Sequence, residues 1–213
     1  TVAPEEQLFP PPREELGVVT FGLGGDLNRL GPDTIEAVAR VLWNTENSQL
    51  LLGGRDRWED ETVQHLSEAF ARYGLANRLL FQRPVDIAGD PATIFFQQID
   101  ILLDTTPVSG DLDVVRSLFM GVPVVTLRGQ RRAGRFAASI LHAAGRAEWI
   151  AGSLEEYAAI ASGLAGSPRL ETLRMTLREE TMASPLADVT DMARQLAEGI
   201  GQWVKTTQIE VTG

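Results

Sequence analysis

Cysteine is absent from the 213 residues, and histidine nearly so, with only His65 and His142. Those gaps remove disulfides, structural zinc-thiolate sites and thiol nucleophiles together, and leave metal binding few imidazoles to draw on. No metal and no cofactor is therefore expected. No apolar run approaches the roughly 20 residues that cross a bilayer, and the N-terminus lacks the basic-then-apolar pattern of a secretory signal. A cytoplasmic protein without membrane contact is the expectation. Positive charge is the minority sign, 19 basic against 29 acidic residues for a net charge of -10, which disfavours a general nucleic-acid binder because phosphate backbones are held by basic surfaces. What is present is ordinary: 44% apolar and 23% charged residues, in a chain long enough to bury a core unaided.

Along the chain, short β-rich apolar runs alternate with amphipathic stretches, the pattern of a parallel sheet covered by helices. Strands are expected at residues 18–22, 49–52, 78–81, 99–103, 123–127 and 149–150. Helices are expected at 32–43, 59–73, 111–120, 135–144 and 154–163, with Ile35, Val38, Ala39 and Leu42 marking one apolar face. Gly74, Gly121 and Gly145 stand where helices stop. Residues 168–204 read as helical with a break near Ser184-Pro185. The first residues, proline-rich and acidic and beginning at Thr1, read as a linker in a piece of a longer protein. The division is a linker at 1–16, a Rossmann-like α/β lobe at 17–167, and a C-terminal helical segment at 168–213 packed on that lobe.

Ligands of open parallel sheets bind beyond the carboxyl ends of the strands, so three loops merit attention. The first is Gly22-Leu23-Gly24-Gly25-Asp26, either a backbone cradle for phosphate or only a tight turn, since its spacing is not a clean GxGxxG. The second runs from Asp104 through Ser109 and Gly110 to Asp113. Its carboxylates Asp111 and Asp113 would repel a diphosphate, and N-capping of the following helix is the favoured role for at least one. The third contains Arg128, Arg131, Arg132 and Arg135: a local anion site, or a solvated loop.

Six segments in order carry a resemblance: VVTFG (18–22), LNRLGPDTI (27–35), IDILLDTTPVSG (99–110), LFMGVPVVTLRG (118–129), GRFAASIL (134–141) and SPLAD (184–188). Together they resemble the C-terminal catalytic lobe of the O-GlcNAc transferase family, which includes many bacterial members fused to tetratricopeptide repeats. The resemblance implies one lobe of a GT-B fold that holds a nucleotide sugar, commonly UDP-GlcNAc, while a second lobe helps hold a protein or glycan acceptor. It implies that Arg29 replaces a lysine beside the donor diphosphate and stabilises the leaving group. It implies that the loop 83–86, with Arg83 and Val85, reads the base through its backbone, and that Gly24, Gly25, Ser109 and Gly110 line the donor.

The departures lie at Asp111, Leu112 and Asp113, where the family commonly has hydroxyls, and at Arg116, where it has a ribose-binding acid. Guanidinium has donors and no acceptor, so it cannot copy a carboxylate clamp. Arg116 is expected instead to pair at the surface with Asp113 on the same helix face. Two functions follow: the donor lobe of an inverting glycosyltransferase, or a non-catalytic relative with a degenerate donor site acting as a binding or assembly module. An unrelated Rossmann-type nucleotide enzyme is a third, weaker reading, since neither its fingerprint nor its ribose acid is clear.

Overall fold

The short apolar runs lie side by side as β1 (Val19–Leu23), β2 (Ser48–Leu52), β3 (Leu79–Phe81), β4 (Ile101–Leu103), β5 (Val124–Leu127) and β6 (Ile150–Ala151). This is a computed structural model, which describes residues 8–27, 30–53, 58–83 and 90–211, with side chains as far as 206. The six strands form one sheet in the order β3-β2-β1-β4-β5-β6. Every pairing is parallel: Phe21 stands opposite both Leu50 and Ile101, and Leu102 opposite Val124. Parallel neighbours need crossover connections, and these supply the helices.

Successive strand residues point to opposite faces, so each face acquires its own core. Phe21, Leu23, Leu50 and Leu52 pack against α2 (Pro32–Asn44), α3 (Asp60–Ala71) and α7 (Leu154–Ala165). Leu51, Leu102 and Val124 face α4 (Pro91–Gln97), α5 (Leu112–Phe119), α6 (Phe136–Ala143) and α8 (Arg169–Met182). Each fully buried leucine or phenylalanine contributes about 1.5 to 3 kcal/mol. Helix α4, too short to stand out in the sequence, begins where the Asp90 carboxylate accepts the Thr93 amide at 3.3 Å. It buries Ala92, Phe95 and Phe96 along one side.

Residues 13–16, expected within the linker, form the single turn α1 (Arg13–Leu16) and are tied to the lobe. The Arg13 amide donates to Asp100 Oδ1 at 3.1 Å, and its guanidinium donates to the Ala165 carbonyl at 3.0 Å. Helix α8 is anchored by Arg174, only 2% exposed. Its guanidinium donates to the carbonyls of Phe9, Phe96 and Ile99 at 2.9, 2.9 and 3.3 Å, satisfying oxygens at the end of α4 and just beyond it. Gly121 has φ 73° and permits this approach, since a Cβ there would lie 2.2 Å from the Arg174 carbonyl oxygen. The last helix, α9 (Val189–Val211), does not follow α8 onto the lobe: Met192, Leu196, Ile200 and Trp203 are all exposed. Among the described residues no helix is long and apolar enough to cross a membrane.

Candidate functional site

The strand order reverses between β1 and β4. β1 leads to α2 on one face and β4 to α5 on the other, so their loops part and leave a crevice at the carboxyl end of the sheet. One wall is Gly24-Gly25, with Gly25 at φ 88° and a Cβ on Gly24 reaching 3.4 Å from the Phe95 ring. Arg29 and Val85, expected beside the diphosphate and base, lie outside the described residues. Across the crevice, the Thr34 hydroxyl of α2 donates to the Thr106 carbonyl at 2.6 Å and accepts the Thr106 amide at 3.1 Å. That pair of bonds latches the start of α2 to the loop after β4.

The β4 loop is built around Asp104, whose side chain is enclosed at the end of its strand. Asp104 Oδ1 accepts the Gly110 amide and Oδ2 the Thr126 hydroxyl, each at 2.6 Å. The buried Tyr157 of α7 donates its phenol to the Asp104 carbonyl at 3.0 Å. Burial pushes the Asp104 carboxyl up to about 7 against the pull of the Thr126 and Gly110 bonds, and the negative charge of Asp113 adds to the rise. Burial, and then the charge of Asp104, also push the Tyr157 phenol up. Asp104 therefore positions the loop; its oxygens face protein donors and not the crevice. The apolar run ending in this acid was visible in the sequence, whereas its partners Thr126 and Tyr157 come from other elements.

The expected donor residues divide by how they are engaged. Ser109 is buried, its amide donating to the Ala133 carbonyl at 3.0 Å and its hydroxyl to the same oxygen at 3.2 Å while accepting the Ala137 amide at 3.3 Å. The Gly110 amide is taken by Asp104. Asp111 is the N-cap of α5 and accepts the Leu112 amide, the capping role foreseen for one of the two acids. Leu112 is 49% exposed at the rim, and Asp113 occupies the first turn. The amide end of α5 directly follows the β4 loop, a position that favours anions, with two carboxylates beside it that oppose them.

Arg116 departs from expectation. The sequence suggests a surface pair with Asp113, but the Arg116 side chain is only 16% exposed and its ion-pair partner is Asp90, with Nη1 and Oδ2 3.9 Å apart. The reason is the unanticipated helix α4, whose N-cap brings Asp90 beside α5. Burial raises the Asp90 carboxyl, but the Thr93 hydroxyl and amide bonds and the Arg116 charge outweigh it and hold the group below its ordinary value. Arg116 Nη1 is buried without a hydrogen-bond partner among the described residues. Arg83, just after β3, is turned toward α3: it pairs with Asp60 and stacks 5.7 Å from the centre of the Trp58 ring.

The arginines of the third loop are all exposed. A cavity of about 660 Å³ lies elsewhere, between the N-terminal segment and the sheet at the end of α4, lined by Phe9, Leu16, Leu51, Leu80 and Gln97 among others. Its lining is mainly apolar, whereas the crevice combines a reversed strand order, a glycine turn and a helix amide end. The crevice is the better site on chemical grounds. Among the described residues no cluster of His, Asp or Glu is arranged to hold a metal ion.

Known proteins agree with this architecture. A probable UDP-N-acetylglucosamine–peptide N-acetylglucosaminyltransferase SPINDLY of Eustoma exaltatum subsp. russellianum is 30% identical over 88% of this chain and 21% of its own length. The UDP-N-acetylglucosamine–peptide N-acetylglucosaminyltransferase of Caenorhabditis elegans is 27% identical over 88% of this chain and 16% of its own. The chain thus spans about a fifth of the length of such relatives. Among solved structures, a Thermobaculum terrenum O-GlcNAc transferase mutant superposes with a TM-score of 0.75 at 30% identity, covering 91% of this chain and 38% of that one. HepE of Anabaena, solved with UDP and glucose, superposes at 0.57 and 21% identity over 89% of this chain and 51% of its own, which shows a shared fold. The α/β lobe is thus of the GT-B type. Since the pattern that defines glycosyl transferase family 41 matches residues 17–196, the chain belongs to that family.

Proposed function

We propose that this chain is the donor lobe of an inverting glycosyltransferase that moves a sugar, GlcNAc from UDP-GlcNAc, to a protein acceptor held with the help of a second lobe. The observation that carries the reading is the reversal of strand order between β1 and β4, with the Gly24-Gly25 turn following β1 and the amide end of α5 following the β4 loop, the place where open parallel sheets bind ligands. The nucleotide sugar is substrate, so no resident cofactor or metal is required. In this reading Arg29 stabilises the departing diphosphate, the assignment carried by the family resemblance. Transfer needs both lobes, so the isolated chain binds donor without turning it over. A cytoplasmic setting suits a chain with no cysteine.

A non-catalytic relative is the second reading, and specific contacts favour it. The Ser109 hydroxyl and Gly110 amide already have partners inside the protein, and Asp111 and Asp113 place negative charge at the helix end. Calorimetric titration with UDP, UDP-GlcNAc and GDP sugars, with and without magnesium, separates the two. The donor-lobe reading expects UDP binding that Arg29→Ala weakens by roughly 1 to 3 kcal/mol and Arg29→Lys largely keeps. Absence of binding to any nucleotide sugar selects the assembly module. UDP binding indifferent to Arg29→Ala would leave the donor lobe standing and overturn the role given to Arg29.

A further inference from the structure

The arginine loop after β5 takes no part in the donor reading, yet its construction is specific. Arg128, Arg131, Arg132 and Arg135 are exposed, and none forms an ion pair among the described residues, in a chain with a net charge of -10. Among the described residues, carboxylates have therefore not neutralised the cluster. The loop is also closed upon itself. The Gly129 amide donates to the Gly134 carbonyl at 2.8 Å, and the Gly134 amide to the Arg131 carbonyl at 3.0 Å. The backbones of Gly129 and Gly134 approach so closely that a Cβ on either would meet the other's backbone at about 3 Å. Arg135 completes the closure, donating from Nε to the Gly129 carbonyl at 3.0 Å and from Nη2 to the Gln130 carbonyl at 2.9 Å. Arg128, Arg131 and Arg132 are left on a preorganised turn whose ordering is already complete before any partner arrives.

Position gives the cluster its meaning. The Ala133 carbonyl accepts the amide of Ser109, and a Cβ on Gly134 would lie 2.7 Å from the Pro107 carbonyl oxygen, so the turn is joined to the crevice-lining loop after β4. Beside it lies a cavity of about 570 Å³ lined by Arg128, Gln130, Arg135, Ser139 and His142 among others. Exposed apolar side chains, Val108 at 59% and Phe136 at 40%, belong to the two joined segments. Guanidinium groups beside apolar patches suit a polypeptide that carries carboxylates among other side chains. A nucleic-acid strand would need positive charge along an extended track, whereas these four arginines are gathered at a single turn of a chain with a net charge of -10.

We propose that the turn at 128–135 docks an acidic stretch of the acceptor polypeptide, holding it alongside the crevice. The proposal rests on the reading of the crevice as a donor site with a protein acceptor. Its test uses the 213-residue chain and three fluorescent probes of equal length: a Glu/Ser peptide, the same peptide with Gln for Glu, and a single-stranded oligonucleotide. Anisotropy is followed at low and high salt. The Glu peptide is expected to bind about tenfold more tightly than the Gln peptide at low salt, and the triple variant Arg128→Gln, Arg131→Gln, Arg132→Gln to lose that advantage with unchanged circular dichroism. UDP titration of the same variant is expected to match the parent. Equal affinity for the two peptides, preference for the oligonucleotide, undiminished selectivity in the variant, or loss of UDP binding along with peptide binding would each overturn the proposal. A parent that ignores UDP yet holds the Glu peptide through these arginines would end the donor reading and leave acidic-peptide docking in place.

Discussion

The loops after β4 and β5 sit side by side at one end of the sheet and use charge in opposite ways. In the first, one acid, Asp104, is enclosed and both its oxygens accept protein hydrogen bonds. In the second, arginines stand exposed and without ion-pair partners among the described residues. A buried carboxyl that accepts the Gly110 amide and the Thr126 hydroxyl fixes the geometry of its loop, and its loss leaves those donors unsatisfied. Exposed charges contribute little to stability and remain available for recognition. The difference separates scaffold from surface more sharply than residue type does.

Titration is the strongest way to test the buried side. Because the Asp104 carboxyl is pushed up to about 7 from 3.8, chiefly by burial, the folded state binds its proton more tightly than the unfolded state. The associated stability is fully present below pH 4 and is lost as the pH rises toward 7, by on the order of 4 kcal/mol if the whole shift is expressed. Urea unfolding across that window should show this decline superimposed on the other carboxylates. Asp104→Asn, which keeps an acceptor for Gly110 and can donate to the Thr126 hydroxyl, should remove it. Parallel pH profiles of parent and variant would show that Asp104 stays ionised.

Deleting the group is the next largest effect. Asp104→Ala strands the Gly110 amide and Thr126 hydroxyl, and should lower stability by about 3 kcal/mol at neutral pH. A smaller step cuts the join between the two loops: Ser109→Ala removes the hydroxyl between Ala133 and Ala137 and should cost about 1 kcal/mol, read from the urea midpoint. Smallest of all, replacing Arg128, Arg131 and Arg132 together by glutamine should shift stability by less than about 0.5 kcal/mol. A destabilisation comparable to that of Asp104→Ala would erase the contrast between the loops.

The backbone of the candidate crevice was legible in the sequence because parallel sheets place ligands where strands end, and strand ends are marked by glycine, proline and capping residues. Gly24-Gly25, the loop from Asp104 and the capping by Asp111 follow from that rule. Arg116 does not, since its neighbour Asp90 belongs to α4, a helix too short for periodicity to reveal. Asp104 was visible as a polar residue ending an apolar run, but its bonds to Thr126 and from Tyr157 depend on which elements become neighbours.

The two final helices mark the same boundary. By itself the sequence determined the alternation of strands and helices, the parallel sheet that alternation requires, the stops at Gly74, Gly121 and Gly145, and the helical tail broken near Pro185. Those are consequences of local sterics and of periodicity, which report an element's type and its apolar side. Tertiary structure decided the strand order, the pairing of Arg116 with Asp90, and the separate fates of α8 and α9. Helix α9 carries an apolar stripe through Met192, Leu196, Ile200 and Trp203 and remains exposed, while α8 buries an arginine, Arg174, against the carbonyls of Phe96 and Ile99. An apolar face shows only that a helix can be covered; what covers it depends on surfaces brought together from distant parts of the chain.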